Sequence, residues 1–330
     1  MKELKIQEND SGQRLDRFLQ KVFPQLPKSL CCKWMRTKHI KVNRKRCTPD
    51  QRLHTGDIIM LFVQDAYFEQ SAEKISKKNP YVFLEAPNDL EILFENEQIL
   101  IICKPIGLVV HCDNRQMPDT LIHRVLHYLY DTGSYDPSKE QSFTPALCNR
   151  LDRNTGGIVI AAKTAAALRE VNRLIRENRI HKTYLCTVVG KPPQSEDILH
   201  AWHKKSPTHN TVVIQDEKAE GFQPISTGYR VLAHHAAHHL LEVTLITGRT
   251  HQIRAHLAHI GIPILGDNKY GDSKENRKAH CKYQQLWAYQ IKLETDPNTC
   301  LSDLNEKTIR TIVPAFVQKE FPEFHSNMIL

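Results

Sequence analysis

Residues 148–162 read CNRLDRNTGGIVIAA. Two glycines open an apolar run rich in β-branched residues, which predicts a buried strand over 156–162. Three charges, Arg150, Asp152 and Arg153, stand in the loop that enters it. Arg150 and Asp152 are two positions apart, so an extended chain would place both on one face. That face must hold a carboxylate and a guanidinium together. By itself, such a pair reads as a structural salt bridge.

Working outward, strands and helices alternate around this one. EILFENEQILIICKP (91–105) reads as a strand, a turn and a buried strand. Asp119 or Thr120 can cap a helix bearing Leu121, Val125, Leu126 and Leu129. Thr164 can cap another bearing Leu168, Val171, Leu174 and Ile175. KTYLCTVVG (182–190) and WAYQIKL (287–293) read as strands, and 226–248 reads as a hairpin. RTHQIRAHLAHIG (249–261) reads as a short helix ended by Gly261. Antiparallel strands with helices inserted between them predict an α+β fold with a mixed, mostly antiparallel sheet.

Charge divides the chain. Its 45 Lys and Arg and 37 Asp and Glu give a net charge of +8. Residues 1–64 carry 14 Lys/Arg against 6 Asp/Glu, so the whole excess lies there. A basic excess this localised points to a polyanion, because each phosphate neutralised releases counterions. Within it, Leu15, Phe18, Leu19 and Val22 recur at helical spacing after Ser11. A second helix follows Ser29, and HIKVNRKR (39–46) reads as a strand turning at Asn43-Arg44. Arg36, Lys41, Arg44 and Lys45 fall close together on these elements. Residues 65–88 lack a sustained period and are expected to link this domain (1–64) to a second (89–330), letting one move against the other. No apolar run reaches the roughly 18 residues of a membrane span. The start, MKELKIQENDSG, has early acids and no apolar centre, unlike a signal or transit peptide. Nine cysteines without a CxxC pair suggest reduced thiols in the cytoplasm.

Five ordered blocks carry a resemblance. NRLDRNTGG (149–157) is similar to the H-R-L-D-R-x-T-S-G signature of the RluA family of pseudouridine synthases. CKPIG with Val110-His111, Lys182-Thr183-Tyr184, GRTHQIRAH (248–256) and GIPILGD (261–267) with Tyr270-Gly271 resemble the family's other blocks, in the family's order. Residues 11–64 resemble the small RNA-binding domain first seen in ribosomal protein S-four. The resemblance implies a synthase-type catalytic domain behind an S-four-like domain. It implies isomerisation of uridine within RNA: the bond from nitrogen to the anomeric carbon breaks, the base turns, and its fifth carbon bonds to the sugar. Nothing is gained or lost in this reaction, so no cofactor and no metal are expected. The chain also has no P-loop or GxGxxG fingerprint.

By the same resemblance Asp152 is the carboxylate that acts on the sugar, either by attacking the anomeric carbon or by removing the neighbouring proton to give a glycal. Arg254 is the arginine paired with it, Tyr184 lies against the target base, and Arg150 fills the space the flipped base leaves. Lys104, Arg249 and Lys182 are candidate phosphate contacts or plain surface charges. His251 and His256 are structural or RNA-facing, with His251 counted among the RNA contacts. The layout resembles the large-subunit ribosomal branch most, with transfer RNA the second target and a non-catalytic ribosome-assembly factor the alternative function. A monomer is expected.

Four positions depart from the pattern. Asn149 stands for the usual histidine and Gly156 for the usual serine. Trp287 and Asp296 stand where the family has two further histidines. His234, His235, His238 and His239 invite a metal reading, but their strand-like flanks make them a hairpin tip.

Overall fold

The computed structural model describes residues 1–63, 79–111, 118–206 and 211–324. Residues 64–78, most of the expected linker, lie outside the described residues. The N-terminal part is built from β1 (Lys2–Lys5), α1 (Leu15–Val22), α2 (Lys28–Arg36), β2 (Ile40–Val42), β3 (Lys45–Arg46) and β4 (Ile58–Leu61). Its four strands lie in the order β1-β4-β2-β3. Leu15, Phe18 and Leu19 of α1 and Trp34 and Met35 of α2 face Ile40, Val42, Ile59 and Leu61 of the sheet, closing a small core. Asn43 and Arg44 both have positive φ, as a tight two-residue hairpin demands. Neither expected helix cap is used. Ser11 ends a short 3-10 turn, and α1 starts four residues later behind Arg14. Ser29 lies inside α2, whose first carbonyl comes from Pro27.

The second part begins inside the stretch expected to be linker. Val82–Glu85 forms a 3-10 turn whose Phe83 is buried against Tyr130 and Tyr135. Then come β5 (Glu91–Glu95), β6 (Ile99–Lys104), α3 (Leu121–Asp131), β7 (Ala146–Leu147), β8 (Gly156–Ala162), α4 (Ala165–Arg176), β9 (Ile180–Val189), β10 (Glu196–Lys205), β11 (Val212–Gln215), β12 (Gln223–His235), β13 (His238–Leu245), α5 (Gln252–His259), α6 (Ser273–Lys278), β14 (Leu286–Leu293), β15 (Thr308–Arg310) and α7 (Ala315–Glu320). These strands form one sheet in the order β11-β10-β12-β13-β9-β14-β8-β6-β5, with β15 on β14 and β7 on β8. Among the described residues only the β8–β14 pairing is parallel. The architecture is therefore α+β with a mixed, mostly antiparallel sheet. Thr120 and Thr164 cap α3 and α4 through their hydroxyls.

β8 is buried along its whole length. One sheet face packs under α3 and α5, with Leu100, Val159, Tyr184, Val243 and Ile253 in a single cluster. The other packs under α4 through Ile158, Ile160, Val171 and Leu174. The two parts of the chain touch through polar groups: Asn9 donates to Glu140 (2.9 Å), Gln13 to Ser142 (2.9 Å) and Ser142 to Asp10 (2.5 Å). No helix of the described residues is long and apolar enough to cross a membrane.

The structure accounts for the four departures. Asn149 lies beside β8 and pairs like a strand residue, accepting from the Ile160 amide (2.8 Å) and donating to the Ile158 carbonyl (3.2 Å). Asp296 accepts from Arg173 (2.5 Å) and Arg179 (2.8 Å). Gly156 and Trp287 belong together, because a Cβ on Gly156 would sit 2.1 Å from the indole ring. That indole is fixed by packing near Val317 and Phe321 and by donating to Thr311 (2.8 Å). Gly156→Ser is therefore expected to destabilise the fold by about 1–3 kcal/mol, as overpacking does. The same change should cost less in a Trp287→His background, with a coupling on the order of 1 kcal/mol in a urea-unfolding double-mutant cycle. Strictly additive effects would contradict the pairing.

Candidate active site

Asp152 lies at the tip of the loop between β7 and β8, with a quarter of its side chain exposed. The loop is pinned from below. The Thr155 amide donates to the Asp152 carbonyl (3.1 Å), and the Gly107 amide donates to the Arg153 carbonyl (2.9 Å). Gly157, at φ +110°, lets β8 approach β14 so closely that a Cβ would meet the Ala288 carbonyl at 2.1 Å.

Lys104, at the end of β6, is fully buried. Its ammonium donates to the carbonyls of Pro105 (2.8 Å), Leu108 (2.8 Å) and Arg153 (3.0 Å). All three of its donors are taken, so the expectation of a phosphate contact is corrected. Lys104 ties the 105–108 loop to the Asp152 loop. Burial pushes its amine down to about 8, against the pull of Asp152, which leaves it charged at neutral pH.

Arg254 reaches the loop from the first turn of α5. Its Nη1 donates to Asp152 Oδ2 at 2.7 Å, although the residues are 102 positions apart. Its other edge grips Asp267 in a two-pronged bond, Nε to Oδ2 at 2.6 Å and Nη2 to Oδ1 at 2.8 Å. Asp267 is completely buried and also accepts from the Lys269 and Tyr270 amides. Burial would raise its carboxyl, but these donors, Arg254 above all, hold it below the usual range. One planar cation thus bridges a fully buried carboxylate and a half-open one, which lysine's single point charge could not do. No ion pair joins Arg150 to Asp152 among the described residues.

The turn into α5 is strained at His251, whose φ is +52°. Gln252 holds this turn. It accepts from the Arg249 amide (3.0 Å) and the Thr247 hydroxyl (3.0 Å), and donates to the Ser226 carbonyl (3.0 Å) and the Thr227 hydroxyl (3.0 Å). His203 adds a bond to the Thr250 carbonyl (2.9 Å). His251 is nearly enclosed, with its side chain 7% exposed. Its Nε2 is 3.8 Å from Asp152 Oδ1, and its Nδ1 meets the Tyr270 hydroxyl at 2.9 Å. His256 is buried against Thr227, a structural place.

Asp152 looks onto two adjoining hollows. One, of about 510 Å³, is lined by Tyr184, Lys182, Leu245, Arg249, Arg150 and Arg254. The other, of about 780 Å³, is lined by His111, Arg150, Arg153, Lys205, Lys269 and Arg254. Tyr184 sits on β9 with its ring in the core cluster, and burial, with Asp152 beside it, pushes its hydroxyl up. Lys182 is two residues earlier on the same face, its amine pushed down by burial. Arg150 and Arg249 are exposed at the rim. The chain thus brings Asp152, Tyr184, Arg254, Arg150, Lys182, Arg249 and His251 around one cleft and leaves Lys104 beneath it. Arg36, Arg44 and Lys45 are exposed on the separate N-terminal sheet and α2, and Lys41 lies over the Phe62 ring at 5.2 Å.

Sequence reasoning misses Asp267, Gln252 and Tyr270 as site residues, although all three fall within the quoted blocks. A carboxylate beside a glycine turn gives no hint that it clamps an arginine. Among the described residues there is no group of three or more His, Cys, Asp or Glu placed to hold a metal. The histidines of the β12–β13 tip are spread over a hairpin, where His238 pairs with Glu320 (2.6 Å).

The arrangement can hold a charged carboxylate, in a cleft large enough for a nucleoside, against a fixed cation and an aromatic wall. Residues 98–259 match the model of the RNA pseudouridylate synthase family, and residues 13–59 match the S4 domain. The chain is 33% identical over 306 residues to a ribosomal large subunit pseudouridine synthase D of Nitrosomonas europaea, covering 90% of this chain and 81% of that one. It is 34% identical to a ribosomal large subunit pseudouridine synthase C of Buchnera aphidicola, covering 82% and 81%. Human RNA pseudouridylate synthase domain containing 1 shares the fold, with a TM-score of 0.55 at 22% identity, over 71% of this chain and 87% of that one.

Proposed function

The chain belongs to the RNA pseudouridylate synthase family, carries an S4 domain and isomerises uridine to pseudouridine in RNA; from that premise we propose that its substrate is large-subunit ribosomal RNA and that Asp152 acts on the sugar. The observation that carries the role of Asp152 is its 2.7 Å bond from Arg254 at the mouth of a nucleoside-sized cleft. The target rests on the relatives named as large-subunit synthases.

The target base leaves its stack and enters the cleft, since chemistry at its sugar cannot occur inside a helix. Arg150 at the rim takes the space it vacates. Tyr184 lies flat against the base. Asp152, paired with Arg254, acts on the sugar, by attack at the anomeric carbon or through a glycal. The freed base turns and bonds through its fifth carbon, which gives up its proton, while the ring nitrogen that left the sugar takes one up, so the product is an isomer of the substrate. Arg249 and Lys182, with the lysines and arginines of the second hollow, hold the backbone and position the RNA without reading its sequence. Residues 1–64 grip RNA through Arg36, Lys41, Arg44 and Lys45. The protein works as a monomer in the cytoplasm.

Incubation with unmodified large-subunit ribosomal RNA and with unmodified transfer RNA tests the target. New pseudouridine is expected in the first alone, and modification confined to transfer RNA would overturn the assignment. Replacing Arg36, Lys41, Arg44 and Lys45 together by alanine is expected to raise KM and leave kcat unchanged. The salt slope of binding should fall by about one for every phosphate that is no longer neutralised. An unchanged salt slope would remove these residues from the interface.

A further inference from the structure

A carboxylate has two oxygens, and in Asp152 they are treated differently. Oδ2 takes the bond from Arg254 at 2.7 Å. Oδ1 is faced by His251 Nε2 at 3.8 Å. The state of that nitrogen is set from behind. The Val212 amide donates to the Tyr270 hydroxyl oxygen at 2.9 Å, so the hydroxyl proton is free to point at His251 Nδ1, also 2.9 Å away. Nδ1 then accepts, and the neutral ring carries its proton on Nε2, toward Asp152. Tyr270 is held by its position against Arg254, with the guanidinium carbon 5.4 Å from the ring centre.

The backbone supports the same placement. His251 is one of the few residues other than glycine with positive φ. Such strain persists only where neighbours over-determine it. Here Gln252 and His203 do so through the bonds described above. With so little of its side chain exposed, His251 offers RNA almost no surface.

We propose that His251 is a positioning residue for Asp152, presenting a proton fixed on Nε2 to Oδ1, the oxygen that Arg254 leaves free. It rests on the assignment of Asp152 as the reacting carboxylate, and it replaces the expectation that His251 contacts RNA. The gap of 3.8 Å is wider than a hydrogen bond. Such catalytic contacts commonly close only when substrate fills the site, as the target nucleoside would here. The bond then fixes the direction of the oxygen that meets the sugar.

The chemistry of the ring fits this role. Burial, with Arg254 and Lys269 nearby, pushes the imidazole down in spite of Asp152, which favours the neutral ring. Groups facing this pair include Arg254 and Asp267, Lys269, Lys104 beneath the loop, Arg150 at the rim, and Tyr184 and Tyr270. All except Tyr270 stay unchanged in the test.

The test is release of tritium from uridine labelled at its fifth carbon, in large-subunit ribosomal RNA transcribed in vitro. His251→Ala is expected to lower kcat by about 10- to 100-fold, the worth of a bond to a charged group, with KM unchanged. His251→Gln keeps an N–H on that side and should recover most of kcat. Tyr270→Phe frees the ring to place its proton on Nδ1, so it should lower kcat, again with KM unchanged, while His251 is still present. A rise in KM with kcat intact would make His251 an RNA contact and overturn the proposal. Values of kcat for His251→Ala and Tyr270→Phe matching the parent would overturn it as well. Asp152→Asn separates the two levels. If it is inactive while the His251 variants behave normally, only this inference fails, whereas an active Asp152→Asn removes the premise too.

Discussion

Asp152→Asn is expected to bind RNA as the parent does and to make no pseudouridine. The substitution changes little except charge. An amide in the same place still accepts from Arg254 Nη1, so the loop, its ties to Lys104 and the clamp on Asp267 remain. What disappears is an oxygen able to attack the sugar or take its proton. Removing the group that performs the reaction lowers kcat by about 10⁴-fold or more in enzymes of this kind of design. The RNA-holding groups proposed on Arg150, Arg249, Lys182 and the N-terminal domain are untouched, so filter binding should give an unaltered affinity. Loss of binding together with loss of turnover would make Asp152 a structural residue instead.

Arg254→Ala carries the second large effect, and most of it falls on stability. Asp267 has no exposed surface, and Arg254 holds it through two charged hydrogen bonds. Stranding a buried charge costs about 3–5 kcal/mol. Activity should fall as well, because Asp152 loses the bond that holds its carboxylate in place. Arg254→Lys should recover part of the stability but little of the activity, since one ammonium cannot serve two carboxylates along two edges. The pH dependence of unfolding gives a sharper check. In the parent, the Asp267 carboxyl is held below its ordinary range. Its contribution is therefore present above the unfolded carboxylate range and is lost as pH falls through the lower folded value. Without Arg254, burial is set against the Lys269 and Tyr270 amides alone among its hydrogen bonds, and as the largest influence on the group it is expected to raise that carboxyl. The sign reverses: stability is then greatest below the unfolded carboxylate range and declines as pH rises through the folded value. Urea unfolding of Arg254→Ala at several acid pH values should show this reversal, and Arg254→Ala/Asp267→Asn should abolish it. A pH dependence like the parent's in Arg254→Ala would contradict the clamp.

Periodicity and turn chemistry make much of this architecture legible. The wholly apolar 156–162 segment, the threonine caps of α3 and α4 and the turn at Asn43-Arg44 are local features, and local sequence contains them. The strands β10 and β11 are not legible, because Glu196–Lys205 is mostly exposed and mixes charges with apolar residues. The serines at 11 and 29 have the chemistry of caps, although the chain enters both helices from extended Arg14 and Pro27 without a side-chain cap bond.

The site is legible to a different depth at each residue. Asp152 and Arg254 lie 102 positions apart, and no local pattern joins them; only the family resemblance does. Lys104 shows the opposite failure. A lysine before a Pro-Ile-Gly turn reads as a phosphate contact or a surface charge, and nothing nearby in sequence reveals that three carbonyls converge on its ammonium. Gly156 and Trp287 look like two separate departures. They are one adjustment across the β8–β14 pair, since a bulky ring on one strand requires the absence of a side chain on the other. Pairings of this kind depend on register and distance, which a single sequence does not carry.

The central claim is that this chain converts a uridine of large-subunit ribosomal RNA through Asp152. Chemical mapping of pseudouridine in total RNA tests it most directly, in cells lacking the gene and in the same cells given either the parent or Asp152→Asn. One or more large-subunit sites should vanish with the gene, return with the parent and stay absent with Asp152→Asn. Sites restored equally by both would contradict the account.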